Sequence, residues 1–174
     1  MILSDIDIIK EVVHGNIKIE PDLSKSHNTN SCNVTLSDEL LVYDHYLLDM
    51  KKDNPCHTVK IPKDGMILEP GNLYLGRTEE YTETHGFVPM LEGRSSIGRL
   101  GIMVRATAGF GDAGFCGYWT LEISCIQPVR IYAGIEIAQL YFHTLRTQPI
   151  SSYDGKYQNN KDVQASKLWK EFRQ

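Results

Sequence analysis

A mostly β fold with a short N-terminal helix and a mobile C-terminal tail is predicted by three features of the sequence. Near the start, Ile6, Ile8, Ile9, Val12 and Val13 recur at spacings that suit one face of a helix over residues 4–14, with Ser4 or Asp5 as its cap and Gly15 as its end. From there the texture changes to short alternating runs at 33–37, 39–43, 57–61, 66–68 and 73–76. They are punctuated by Pro55, Pro62, Asp64-Gly65 and Pro70-Gly71. Strands resume at 119–125, 129–132 and 135–143, with Ala133-Gly134 reading as a hairpin turn. The rhythm is that of a β-sandwich or barrel. The polar stretch from about residue 147, with a helical scrap at 167–172, reads as a mobile tail.

Length and charge bound the function. The 174 residues suffice for one domain, residues 1–174, and the 41% hydrophobic and 23% charged shares are ordinary for a folded chain. A formal net charge of −4 argues against a general nucleic-acid binder, which needs surplus Lys and Arg to displace counterions. No apolar run approaches the roughly 20 residues of a membrane helix, and the start lacks the basic flank and apolar core of a signal peptide, so a cytoplasmic location is expected. The four cysteines show no C-x-x-C pairing and read as reduced thiols packed as small hydrophobes.

Polar and glycine-rich residues concentrate in two places. Arg94-Ser-Ser, with Arg99 close behind, offers two guanidinium forks and two hydroxyls suited to phosphate oxygens, although a capped helix start with surface arginines accounts for them equally well. GxxxxGK[ST] is absent, so this is not a P-loop. The run from Gly109 to Gly117 holds four glycines in nine residues around Asp112, which suits a backbone that turns tightly and approaches a ligand. Asp112 could equally form an Asx-turn. In Thr120-Leu-Glu-Ile-Ser the period of two puts Glu122 on the face opposite Leu121 and Ile123. A zinc-dependent nucleobase deaminase pairs H-x-E with P-C-x-x-C. None of the six histidines is followed two residues later by Glu and no C-x-x-C exists, which excludes that class.

Taken together, Glu92-Gly-Arg-Ser-Ser-Ile-Gly-Arg-Leu-Gly, Thr107-Ala-Gly-Phe-Gly-Asp-Ala-Gly-Phe and Gly117-Tyr-Trp-Thr-Leu-Glu resemble the dCTP deaminase family, relatives of trimeric dUTPases. Leu68-Glu-Pro-Gly-Asn-Leu-Tyr-Leu-Gly and Gly155-Lys-Tyr-Gln-Asn extend the resemblance almost end to end. It implies a distorted jelly roll or β-barrel of the dUTPase-like type and a homotrimer with active sites shared between subunits. It also implies dCTP or dUTP as ligand, with Mg²⁺ arriving on the triphosphate and no zinc. By the same resemblance Glu122 activates water and relays protons, while Ser95, Arg99 and the carbonyl of Ala108 place water and base. Arg94 and Ser96 hold phosphates, Phe115 lies against the sugar, and Thr107 and Asp112 also contact substrate. Tyr153, Lys156 and Asn160 belong to a tail closing over the triphosphate.

Some positions depart from the family pattern. Asn33 stands where Asp is usual, Arg105 where His is common, Gly111 in place of a β-branched residue, and Asn160 where Gln is frequent. Simple deamination of dCTP to dUTP and ammonia is placed first, because Gly111 is expected to loosen the loop that would align a second water. The alternative is coupled deamination and pyrophosphate release giving dUMP, kept open by Asp112. A pure dUTPase and a non-catalytic nucleotide-binding trimer follow behind.

Overall fold

The computed structural model describes residues 1–21, 27–104 and 108–173. Helix α1 (Asp5–Val13) starts where Ser4 accepts the Asp7 N–H at 3.3 Å and the Asp7 carboxylate reaches back to Ser4, a reciprocal cap. The helix forms where its spacing predicts, but of its five apolar residues only Ile8 is buried; Ile6, Ile9, Val12 and Val13 stay exposed.

The strands are β1 (Ile17–Glu20), β2 (Cys32–Thr35), β3 (Glu39–Tyr43), β4 (Cys56–Lys60), β5 (Met66–Leu68), β6 (Tyr74–Thr84), β7 (Phe87–Gly93), β8 (Ile102–Val104), β9 (Cys116–Cys125), β10 (Val129–Ile131) and β11 (Glu136–Thr144). They form three antiparallel sheets: β4-β3-β6-β9-β8 with β1 also on β6, β2-β11-β7, and the pair β5-β10. Apolar side chains from these sheets meet in one core, including Val34, Leu91, Leu121, Ile123, Leu140 and Phe142. The architecture is a distorted jelly roll; the three sheets do not close into a barrel among the described residues. Ala133-Gly134 is not a hairpin turn. β10 and β11 lie in different sheets, and Gly134, at φ +74° with its N–H on the Leu36 carbonyl, turns the chain from one to the other. On the far edge of β11, Leu3 N–H donates to Phe142 and Thr144 N–H donates to Met1, so the first residues run alongside this strand.

The long β6–β9 ladder organises the molecule. Along β9 the odd residues from Gly117 to Cys125 are buried and the even ones half-buried, as the period of two demands. The register of β6 jumps between Arg77 and Tyr81, opposite Thr120 and Tyr118. Such a bulge leaves ladder groups unpaired. Thr78 Oγ1 takes the Trp119 N–H at 3.1 Å, and the buried Glu80 carboxylate takes the N–H and hydroxyl of Thr35 at 2.9 and 2.8 Å. Burial pushes the Glu80 carboxyl up, against the pull of the Thr35 bonds.

The tail lies on the body instead of hanging free. Asn160 Oδ1 accepts the Tyr118 N–H at 2.7 Å and its Nδ2 donates to the Tyr118 carbonyl at 2.9 Å, extending the β9 edge by one side chain. Gly117, at φ +147°, makes this approach possible: a Cβ there would stand 2.6 Å from Asn160 Oδ1. Gln158 bridges Cys116, Gly114 and Tyr153, Gln164 N–H donates to Thr120 Oγ1, and Arg77 pairs with Asp162 at 3.2 Å. A 3₁₀ turn (Leu168–Phe172) follows, where the sequence placed its helical scrap.

Replacing Asn160 with Ala removes both bonds to Tyr118. Limited proteolysis is expected to cut the tail markedly faster in that variant, with thermal unfolding of the body shifted little. Equal cleavage rates would show that the clamp does not hold the tail.

Candidate functional site

A cavity of about 450 Å³, within the range of small-molecule sites, opens between the outward face of β9, the glycine-rich loop and the tail. Glu122 forms part of its wall. Directly across the ladder stands Leu75, which is buried although it lies on the outward face, and Leu73 lines the same wall. In this apolar corner Glu122 Oε2 is buried and has no hydrogen-bond partner. A buried carboxylate oxygen without a protein partner is costly, and here it faces a cavity in which a ligand can meet it.

The loop supplies the opposite wall. Ala108, Phe110, Asp112 and Phe115 all line the cavity, and Asp112 is exposed at its mouth. Phe115 stacks on Trp119 at 4.9 Å between ring centroids and faces Tyr153 at 6.1 Å, forming an aromatic floor that continues into the tail. Gly111 does not loosen the loop. It is buried, its N–H donates to the Pro89 carbonyl at 2.9 Å, and a Cβ there would sit 2.4 Å from the Trp119 ring and 2.9 Å from Pro89. The glycine lets the indole pack against the main chain.

The second cluster lies elsewhere on this chain. Arg94, Ser95, Ser96 and Arg99 do not line the cavity. They cap and build α2 (Ser95–Gly98), a single turn whose two serines and Arg99 are exposed. Arg94 is held by Glu136, at 2.8 Å to its carboxylate and 3.2 Å to its carbonyl, and Asn33 donates to the same carboxylate at 3.0 Å. Asn33 thus props the partner of Arg94, a link that no sequence signal announced.

In the tail, Tyr153 and Asn160 line the cavity, but the amide of Asn160 is committed to Tyr118. Lys156 does not line it; its ammonium pairs with Glu171 in the 3₁₀ turn, and that carboxylate holds it above the ordinary lysine range. Tyr43, Tyr157 and Gln164, which the sequence did not single out, complete the wall. Thr107 and Arg105 lie outside the described residues. No His or Cys lines the cavity among the described residues.

A family model described as dCTP deaminase-like matches residues 2–145. The chain belongs to the dCTP deaminase-like family. Curated relatives named "dCTP deaminase, dUMP-forming" are 55% identical over 172 residues in Clostridium beijerinckii, covering 99% of both chains, and 57% identical over 173 residues in Leptospira biflexa, covering 99% of this chain and 98% of the relative. Among solved structures, a 2'-deoxycytidine 5'-triphosphate deaminase from Agrobacterium tumefaciens aligns with a TM-score of 0.64 at 22% identity. The match covers 81% of this chain and 47% of that longer one. A Staphylococcus bacteriophage 80alpha dUTPase aligns with a TM-score of 0.50 at 16% identity, covering 81% of this chain and 97% of that one. These likenesses place the dUTPase-like fold. No helix of the described residues is long and apolar enough to cross a membrane.

Gly111→Ala is expected to lose about 1–3 kcal/mol by overpacking against Trp119, lowering the melting temperature by several degrees. Unchanged thermal unfolding would mean that the loop yields without cost.

Proposed function

We propose that this deaminase-like chain converts dCTP to dUMP, ammonia and pyrophosphate, as a homotrimer whose neighbouring subunit supplies α2 to each cavity. The observation that carries the reading is that one cavity is lined by two carboxylates in contrasting settings, Glu122 half-buried with its Oε2 enclosed and unpaired, and Asp112 exposed at the mouth. The names of the relatives favour this coupled reaction over release of dUTP and reverse the order in which the sequence ranked the two. The packing of Gly111 against Trp119 removes the reason for that ranking.

In the first step Glu122 takes a proton from a water that adds to the pyrimidine carbon bearing the amino group, then returns it to the departing nitrogen, so ammonia leaves. Such general acid/base transfer contributes typically 10²–10⁴-fold, about what a positioned carboxylate in an apolar corner supplies. In the second step Asp112 orients a further water toward the α-phosphate, and pyrophosphate leaves. Each turnover consumes two waters. Mg²⁺ carried on phosphate oxygens needs few protein ligands, and the exposed Asp112 carboxylate fits a cation whose remaining positions are filled by water.

Arg94, Ser95, Ser96 and Arg99 are displayed on an exposed turn away from their own chain's cavity, which suits donation to a neighbour's. Ser95 and Arg99 then place water and base, and Arg94 and Ser96 meet the phosphates. Lys156 contacts the triphosphate only after leaving Glu171.

With dCTP and Mg²⁺, the products are expected to be dUMP and pyrophosphate with little free dUTP. Asp112→Asn should lose pyrophosphate release more severely than deamination, and Glu122→Gln should abolish deamination while keeping dCTP binding within about tenfold. Stoichiometric dUTP, with added dUTP left untouched, would refute the coupled reaction.

Shared sites are tested by mixing. Trimers assembled from equal amounts of Glu122→Gln and Ser95→Ala chains, each inactive alone, should regain about one quarter of their sites, the product of two half-chances at each subunit interface. No recovery in verified mixed trimers would place both residues in one subunit's site.

A further inference from the structure

The outward face of the β6–β9 ladder that carries Glu122 holds a second constellation at its other end. Glu83 and Cys116 are direct partners across the ladder, so their side chains leave the sheet side by side. His85 follows just past the end of β6 and turns its imidazole to Glu83, with its main chain fixed by an N–H donated to the Asn16 carbonyl at 2.8 Å. One donor atom from each of Glu83, His85 and Cys116 lies within 4.8 Å of the others.

The donor set is selective. An imidazole nitrogen, a carboxylate oxygen and a thiolate sulfur suit a borderline cation such as Zn²⁺, whose bonds to them run about 2.0–2.3 Å. Hard cations such as Mg²⁺ prefer oxygen throughout. The edges of such a tetrahedron are roughly 3.3–3.8 Å. The three donor atoms, within 4.8 Å of one another, stand close to that spacing.

The surroundings orient the ligands. Glu83 Oε1 lies 3.5 Å from Lys18 Nζ, whereas Oε2 lies 3.3 Å from His85 Nε2. Lys18 thus steadies the carboxylate from behind and leaves the other oxygen turned toward the imidazole, as outer partners of metal ligands do. Lys18 is itself held by Glu20 at 3.3 Å. Cys116 is half-buried, and its main-chain N–H donates to Gln158 at 2.9 Å, which fixes its position at the foot of the tail.

We propose that Glu83, His85 and Cys116 form a binding site for one zinc-class transition-metal ion, with three protein ligands and one open position, separate from the nucleotide cavity. The site takes no part in the deamination chemistry. Its effect is to pin Cys116, and through Gln158 the start of the tail.

The test uses Co²⁺ alone, added to the reduced, metal-free full chain without nucleotide. One equivalent per chain is expected to bind, giving a near-ultraviolet thiolate-to-cobalt charge-transfer band and tetrahedral visible bands that Zn²⁺ displaces. Cys116→Ser should abolish the charge-transfer band, and His85→Ala should weaken binding at least about tenfold. Zn²⁺ should raise the melting temperature of the wild type but not of Cys116→Ser, whose own unfolding transition reports that it is folded. Cys56→Ser, which removes a thiol outside the cluster, should change nothing. Absence of the band, its survival in Cys116→Ser, or its loss in Cys56→Ser would overturn the proposal.

Discussion

The antiparallel ladder between β6 and β9 is the constraint on which the rest depends. Once the two strands pair, alternation along β9 assigns Trp119, Leu121 and Ile123 to the core and Tyr118, Thr120 and Glu122 to the opposite face. A slip of one residue would exchange the two sets. The bulge in β6 adds two residues and so preserves the alternation, while turning Thr78 inward to take the Trp119 N–H at the irregularity and Glu80 inward to take the Thr35 N–H of β2. Glu80 also ties this sheet to β2 of the next one.

The tail converts an open sheet face into a cavity. Hydrogen bonds from Asn160 and Gln164 meet β9 at Tyr118 and Thr120, the two outward residues before Glu122, and stop there. Beyond them Gln164, Ala165 and Ser166 line the same cavity as Leu75 and Glu122, and no hydrogen bond reaches Glu122 Oε2. The aromatic floor of Phe115, Trp119 and Tyr153 keeps that space from collapsing.

Much of this was legible in the letters, and the exceptions have physical causes. β3 and β5 fall where turn residues bracket alternating runs, and α1 falls where Ser4 can cap it. The second half of β6 is not legible because its inward residues are Thr78, Glu80, Thr82 and Thr84, so burial is carried by polar groups, the first three of them hydrogen-bonded within the core and Thr84 Oγ1 without a partner. β7 was hidden by Pro89, tolerable because the strand lies at the edge of its sheet. β1 and β8, four and three residues long, fall outside the runs that the sequence singles out. Of the residues the sequence singles out, Glu122, Asp112, Phe115 and Tyr153 line the cavity. The supports of Arg94 are not legible, because Glu136 and Asn33 are distant in sequence and meet it only through the pairing of β2 with β11.

The pairing of the first residues with the end of β11 has a consequence for how such a chain can vary. With Met1 and Leu3 bonded alongside Phe142 and Thr144, the body is stitched shut at the point where the tail departs. The run between Thr144 and Tyr153, where the tail first bonds to the loop through Ala113, is a tether between two finished pieces. Changing a tether's length alters the entropy of closure by only about 0.6 kcal/mol per doubling. Residues can therefore be gained or lost there with little penalty either to folding of the body or to docking of the tail, so this is the place where the chain tolerates drift in length.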